Sequence, residues 1–423
     1  MNIKNLIVSR VFSFTCIILF LGTLGCSKQS DPPTLDFNSL IAGGVGLGIV
    51  SPTTVPSNAT IIASLSMNID PATATSNTIK LRRDFDSTYV DLTITVSGST
   101  ITIVPNTDLG NGIYYELTFT LIKATDGTTM TYLWRSFTTI GNFGPPGLVA
   151  YWNFEGNTYD QKGNYNVSAV TDLNYTKSFR QSLGKCAAFN GTSTVIEVSN
   201  GDQLLNSPDF SLSCWVKANS LYQVDSLGKP KGQLVLGVGD YKGFEFEIAS
   251  DYSSCELVAS YALPDGTTVS EDLSFAGDGK TETNGGLPGW IYCANLISTG
   301  GVEGLLQDNW AFVTFTYSSA TRIGTLYIDG VMMKQQDFNK WPVGDPARTI
   351  TGMKYGGSAP QQENIFTMGF FHSVMSTAYS GTPWGNYFSP YSNHFRGWLD
   401  EVRIFHSAIT AVEVEQMYIL TKP

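Results

Sequence analysis

Charge is scarce in this chain: of 423 residues only 14% are Asp, Glu, Lys or Arg, and three are histidine. With 25 basic residues against 36 acidic ones the net charge is −11, and no basic block interrupts it, so the footprint needed to hold a phosphate backbone is missing. Nucleic acid is therefore not an expected partner. An acidic surface also repels anionic lipids and glycans unless a bound cation intervenes, which leaves neutral ligands as the better match. No apolar run reaches the roughly 20 residues that span a bilayer, so any membrane association has to come from an anchor. With three histidines and no Cys-x-x-Cys, a zinc site is not expected. No Ser or Cys sits in a Gly-x-Ser-x-Gly context, so a hydrolytic triad is unsupported and His372, His394 and His406 read as surface or loop residues.

The first 25 residues carry a secretion pattern. Lys4 and Arg10 precede the apolar run Val11 to Leu21, which stops at Gly22-Thr23-Leu24-Gly25-Cys26. Leu24-Gly25-Cys26 resembles a bacterial lipobox, although Thr23 stands where Leu is usual; a plain cleaved signal is the alternative. The resemblance implies that Cys26 is lipidated, with palmitate-type acyl chains, and becomes the first residue of a protein held at the cell envelope, at the outer membrane and open to surface exposure. Beyond it lie Cys186, Cys214, Cys255 and Cys293. An exported compartment permits disulfides, four cysteines allow three connectivities, and Cys255 with Cys293, flanking one inserted segment, is the first pair to test. Buried free thiols are the equal alternative.

What is plentiful is Gly, Thr, Ser, Asn and aromatic residues, a profile of short strands and many turns, and the length calls for two or three domains. Residues 26–50, with Pro32-Pro33 and the run Gly43-Gly44-Val45-Gly46-Leu47-Gly48, read as a flexible tether. Over 51–141 the alternation is regular, in Leu92-Ile94-Val96, Ile101 to Val104 and Tyr115-Leu117-Phe119, punctuated by Ser97-Gly98, Gly110-Asn111-Gly112 and Asp126-Gly127. That pattern predicts a small β-sandwich. The order of its phrases, from Ser66-Met67-Asn68-Ile69-Asp70 to Phe137-Thr138-Thr139, resembles the SbsA-type bacterial Ig-like domain, which implies a spacer or accessory module. Gly144-Pro145-Pro146-Gly147 then marks a boundary.

From 148 to 423 the ordered phrases Leu148 to Asn157, Gly184 to Phe189, Phe210 to Lys217, Trp310 to Tyr317, Leu326 to Val331 and Phe395 to Phe405 resemble the LamG/concanavalin A-like lectin and glucanase superfamily. The implied architecture is an all-β jelly-roll sandwich with a short C-terminal helix, and the helical pattern from Ile409 to Leu420 after Thr410, with Val412, Met417 and Leu420 at roughly helical spacing, agrees. Asp329-Gly330 supplies the φ > 0 pair of a type I′ hairpin. Tyr261 to Asp308, Lys334 to Asn364 and His372 to Phe395 exceed the family's usual loop lengths, and long loops of this kind are commonly functional.

Three sets of side chains carry candidate chemistry. Glu245 and Glu247 share one strand face, as two of the three acids in the Glu-x-Asp-x-x-Glu strand of laminarinase-type glucanases do, but Ser250 occupies the third position; a solvated face is the competing reading. Asp160, Asn164 and Asp400 match family positions suited to a structural calcium, or else form an Asx turn and a strand cap. Trp290, Trp384, Asn386, Tyr387 and Tyr391 combine flat rings with amides, the chemistry that packs on a sugar's C–H face, or else they pin their loops to the scaffold. The expected function is non-catalytic carbohydrate binding by an envelope protein, its partner a neutral glycan or glycosylated surface. A structural or adhesive protein-binding role is the first alternative and a divergent glycoside hydrolase the second.

Overall fold

The computed structural model describes residues 33–130, 132–178, 184–220 and 223–422. The signal pattern of residues 1–25 and Cys26 lie outside the described residues. The fold is all-β: an N-terminal Ig-like module, a C-terminal β-sandwich and a short terminal helix. No helix among the described residues is long and apolar enough to cross a membrane.

In the N-terminal module a five-stranded sheet runs Val45–Gly46, Phe37–Ala42, Ile61–Leu65, Thr100–Pro105, Leu92–Ser97. A three-stranded sheet of Ile79–Arg83, Tyr114–Thr120 and Tyr132–Thr138 covers it. Period-two alternation sends Ile61, Ala63, Ile101, Ile103, Leu117 and Phe119 into one core.

The tether reading is corrected over part of its length. Leu35, Leu40, Ala42 and Leu47 are buried in that core, and Phe37–Ala42 pairs antiparallel with Ile61–Leu65. The glycine run is a turn, not a spacer: Gly43 and Gly44 adopt φ of +54° and +85°, and the chain folds back so that Ala42 pairs with Val45.

The C-terminal module stacks two antiparallel sheets. One is ordered Val167–Thr171, Val195–Val198, Phe366–Met368, Gln233–Val238, Phe244–Ile248, Cys255–Ala262, Thr268–Phe275. The other is ordered Asn174–Lys177, Lys185–Asn190, Arg396–Phe405, Phe210–Ala218, Ala311–Ser318, Ile323–Ile328, Val331–Asp337, Trp290–Cys293. Rings interlock between them, with Phe246 and Phe315 at 5.3 Å and Tyr261 and Tyr317 at 5.0 Å between centroids. The long segment Tyr261 to Asp308 is only partly loop, because Thr268–Phe275 and Trp290–Cys293 join the sheets. Asp329 and Gly330 turn the last hairpin with φ of 54° and 79°.

The terminal helix Ala411–Thr421 opens with the capping box of Thr410 and Glu413 and lies against the outer face of the second sheet, on Trp215, Phe312 and Phe405. Its buried stripe is Val414, Met417 and Thr421. Val412 and Leu420, expected with Met417 at helical spacing, are exposed, because at 100° per residue Val412 stands about 140° from Met417 and Leu420 about 60° from it on the side away from Val414 and Thr421. Phe143 packs against both the Ig-like core and the helix cluster, joining the modules. A crevice of about 400 Å³ at this junction is lined by Asp108, Asn111, Pro146, Lys162 and His406 and contains none of the expected site residues.

Candidate functional site

The connection from Gly369 to Asn393 begins where the chain has no room for a side chain: Gly369 has φ +98°, and a Cβ there would sit 2.4 Å from the Thr194 carbonyl oxygen. Phe370, Phe371 and Tyr387 then pack with Val195 and Leu234 on the outer face of the first sheet. His372 and His394 are buried inside this loop, correcting the surface assignment; the loop folds over its own small core and encloses both rings. His394 Nε2 lies 2.8 Å from the Tyr387 carbonyl oxygen and Phe370 stacks on its ring, while burial pushes its pKa down to about 4.

Polar contacts close the loop. Asn393 N–H donates to the Trp384 carbonyl at 2.8 Å and Ser392 Oγ donates to the same oxygen at 3.2 Å. Asn386 Oδ1 accepts from Phe388 N–H at 3.0 Å and its Nδ2 donates to Ser380 O at 2.9 Å, and the Tyr387 hydroxyl donates to Ser193 O at 2.6 Å. Asn386 and Tyr387 are thus committed to holding the loop. Three of its aromatic rings reach solvent, those of Trp384, Tyr391 and Phe388, at 40%, 40% and 76% exposure. Phe388 was not among the sequence candidates; apolarity in a loop is no signal of exposure until the loop's own core is known. Trp384 leans on Tyr379 at 4.8 Å between centroids and on Phe371 at 6.0 Å, so one of the exposed rings is backed by two others.

Trp290 does not join this group. It lies on an edge strand of the opposite sheet, paired with Val331–Asp337, with Lys334 Nζ 3.2 Å from its ring centroid. Burial lowers the Lys334 pKa to about 8. Trp290 therefore serves its scaffold.

Glu245 and Glu247 do share a face. Phe244, Phe246 and Ile248 enter the core, and the two acids point away from it. The strand ends at Ile248, and Asp251 turns back to accept from Ser253 N–H at 3.0 Å, so no third acid comes from this strand. It comes from the neighbours instead: Glu256 stands directly across from Glu247, and Asp272 across from Val258, itself opposite Glu245. Sequence reading missed both, although a turn centred between Asp251 and Tyr252 pairs Glu247 with Glu256. Burial, reinforced by neighbouring acids, pushes Glu245 up to about 8. Burial together with a hydrogen bond to Glu256 pushes Glu247 up to about 9. Each therefore keeps its proton to higher pH than a free glutamate does, Glu247 in a hydrogen bond with Glu256.

The calcium candidates are engaged in other contacts. Asp160 Oδ1 accepts from Tyr151 and Lys162 N–H, and Oδ2 from Asn164 and Tyr165 N–H, at 2.8 to 3.0 Å. Both oxygens are thereby spent on the turn, and Asn164 contributes its backbone. Asp400 accepts from Ser178 Oγ at 2.9 Å. Among the described residues no group of three or more His, Cys, Asp or Glu could hold a metal ion. The Cys255–Cys293 bridge is likewise not formed: Cys186, Cys214, Cys255 and Cys293 are all buried free thiols. Cys255 lies on the first sheet and Cys293 on the second, where each fills core space.

Comparison with known proteins locates the N-terminal module. Residues 50–139 match the model of the bacterial Ig-like domain family. No curated protein matches the sequence. Among solved structures, similarity extends to the receptor binding domain of botulinum neurotoxin C/D mosaic serotype, at 14% identity and TM-score 0.40, covering 65% of this chain and 51% of that one. The binding domain of Paraclostridial Mosquitocidal Protein 1 gives 17% identity and TM-score 0.41, covering 64% and 52%. The chain thus spans about half the length of the structures it matches.

Proposed function

We propose that this is a non-catalytic glycan-binding protein, exported and lipid-anchored through Cys26, whose C-terminal sandwich, a LamG-like domain, binds saccharide on the loop bearing Trp384, Phe388 and Tyr391. The observation that carries the reading is the division of labour in that loop: Asn386, Tyr387 and His394 are spent on internal hydrogen bonds, while three rings are held out to solvent. Rings held in place lose little freedom on binding, and their faces suit the C–H faces of sugars. The Ig-like module would set the distance from the anchor.

Affinity electrophoresis of the protein through gels containing neutral plant, algal and host polysaccharides tests the binding, with released reducing sugar assayed in parallel. Retardation without release is expected. Release of sugar that is lost in Glu247→Gln would point to hydrolysis instead, and no retardation in any gel would favour a protein-binding envelope role. Anchoring is tested separately: Cys26→Ser is expected to move the protein from the membrane fraction to the soluble one.

A further inference from the structure

Beside the aromatic loop lies a row of acids for which the fold supplies no counter-charge. Glu245 and Glu247 on Phe244–Ile248, Glu256 on Cys255–Ala262 and Asp272 on Thr268–Phe275 all point away from the core of the first sheet. Among the described residues none of the four takes part in a salt bridge. Two negative charges directly across a strand pair are destabilising, and Glu247, which faces Glu256 in that way, keeps a proton in a hydrogen bond to it instead.

Two further atoms on this face lack partners. Glu245 Oε2 is cut off from solvent with no hydrogen bond, and so is Oγ of Ser260, a fully buried residue that follows Glu256 and Val258 on the same side of its strand. Buried polar atoms left unsatisfied are costly, so the fold gains where a donor is admitted to this face. The acids and the loop are electrostatic neighbours. Tyr379, whose ring touches Trp384, feels the charges of Asp240, Glu245 and Glu247.

Resting on the glycan reading above, we propose that the saccharide carries free amino groups, as unacetylated hexosamines do, and that these seat on Glu245, Glu247, Glu256 and Asp272 while the sugar face lies on Trp384. An ammonium offers three donors and a full charge, and its hydrogen bonds to carboxylates are roughly twice as strong as neutral ones. It also takes the place of the proton that Glu247 holds against Glu256, and can sit over the rings of Tyr379 or Trp384. Outward side chains on one strand repeat about every 7 Å and neighbouring strands lie about 5 Å apart, so the acids form a grid able to meet several amines of one oligomer. An N-acetyl group offers a single N–H and no charge.

The test titrates the protein, by calorimetry at neutral pH, with three hexamers of matched length: β-1,4-linked glucosamine, its fully N-acetylated form and β-1,4-linked glucose. The glucosamine hexamer is expected to bind at least about tenfold more tightly than the other two, a difference of about 1.4 kcal/mol. The double variant Glu247→Gln/Glu256→Gln, which keeps the shape and removes like charges, is expected to abolish that preference; Trp384→Ala weakens all binding. Equal binding of the three hexamers, or a preference unchanged in the double Gln variant, overturns the amine site and leaves the glycan reading standing. Failure of all three hexamers, with no retardation in any polysaccharide gel, overturns both.

Discussion

Arg83, at the end of a strand in the Ig-like module, is ion-paired with Glu413, the capping-box glutamate of the helix that closes the C-terminal sandwich. Arg83 also reaches Asp86 at 2.6 Å, and Glu413 is buried. The two modules are therefore tied by charge as well as by Phe143, and the helix N-terminus belongs to both.

Removing one partner of a buried pair strands the other. Arg83→Met is expected to cost about 3 kcal/mol, measured by chemical denaturation, because Glu413 is left without its cation. Adding Glu413→Gln, which preserves an oxygen for the helix cap, is expected to recover part of that loss. Additive losses in the double variant would show that the pair is not coupled.

Stability should fall as the solution becomes alkaline. Glu245 and Glu247 have folded-state pKa values of about 8 and about 9 against 4.5 for a free side chain, so between those limits the folded protein holds protons that the unfolded chain has released. Their contribution is complete below the free value and is lost as pH rises through the folded values. Thermal melts from about pH 5 to about pH 9 should show a declining midpoint, and Glu247→Gln should flatten the decline. A midpoint that rises across this range contradicts the assignment.

The loop separates into supporting and presenting residues. Tyr387→Phe removes the hydroxyl bonded to Ser193 O and should lower stability by about 1 kcal/mol. Trp384→Ala truncates an exposed ring and should leave the melting midpoint nearly unchanged while weakening saccharide binding. Equal stability losses in the two variants would make Trp384 part of the support.

The cysteines should be reduced and hidden. Burial pushes Cys214 and Cys255 up to about 12, which suppresses the reactive thiolate. A thiol reagent is expected to leave the native protein unmodified and to label Cys186, Cys214, Cys255 and Cys293 after denaturation without reductant. Labelling of only two of these would reveal a disulfide.

Strands and hairpins were legible wherever the rule is local. Alternation marked Leu92 to Val104, and Asp329-Gly330 fixed its own turn, because both depend on neighbours within a few residues. Gly43-Gly44 misled because glycine composition is the same for a spacer and for a turn; only the partner strand Ile61–Leu65 tells them apart. The pair of exposed rings Trp384 and Tyr391 was found from residue type, whereas Trp290 and Tyr387 were indistinguishable from them until Lys334 and Ser193 were placed alongside. The acid row needed the register of three strands, which period-two patterning on any one of them does not contain.

The most direct test of the central claim is a glycan array probed in parallel with the parent protein and Trp384→Ala. Binding to a defined set of saccharides by the parent, lost in Trp384→Ala without loss of fold, is the result expected of an aromatic loop that presents a glycan site. Saccharide binding that survives in Trp384→Ala, or no saccharide bound by the parent, would contradict it.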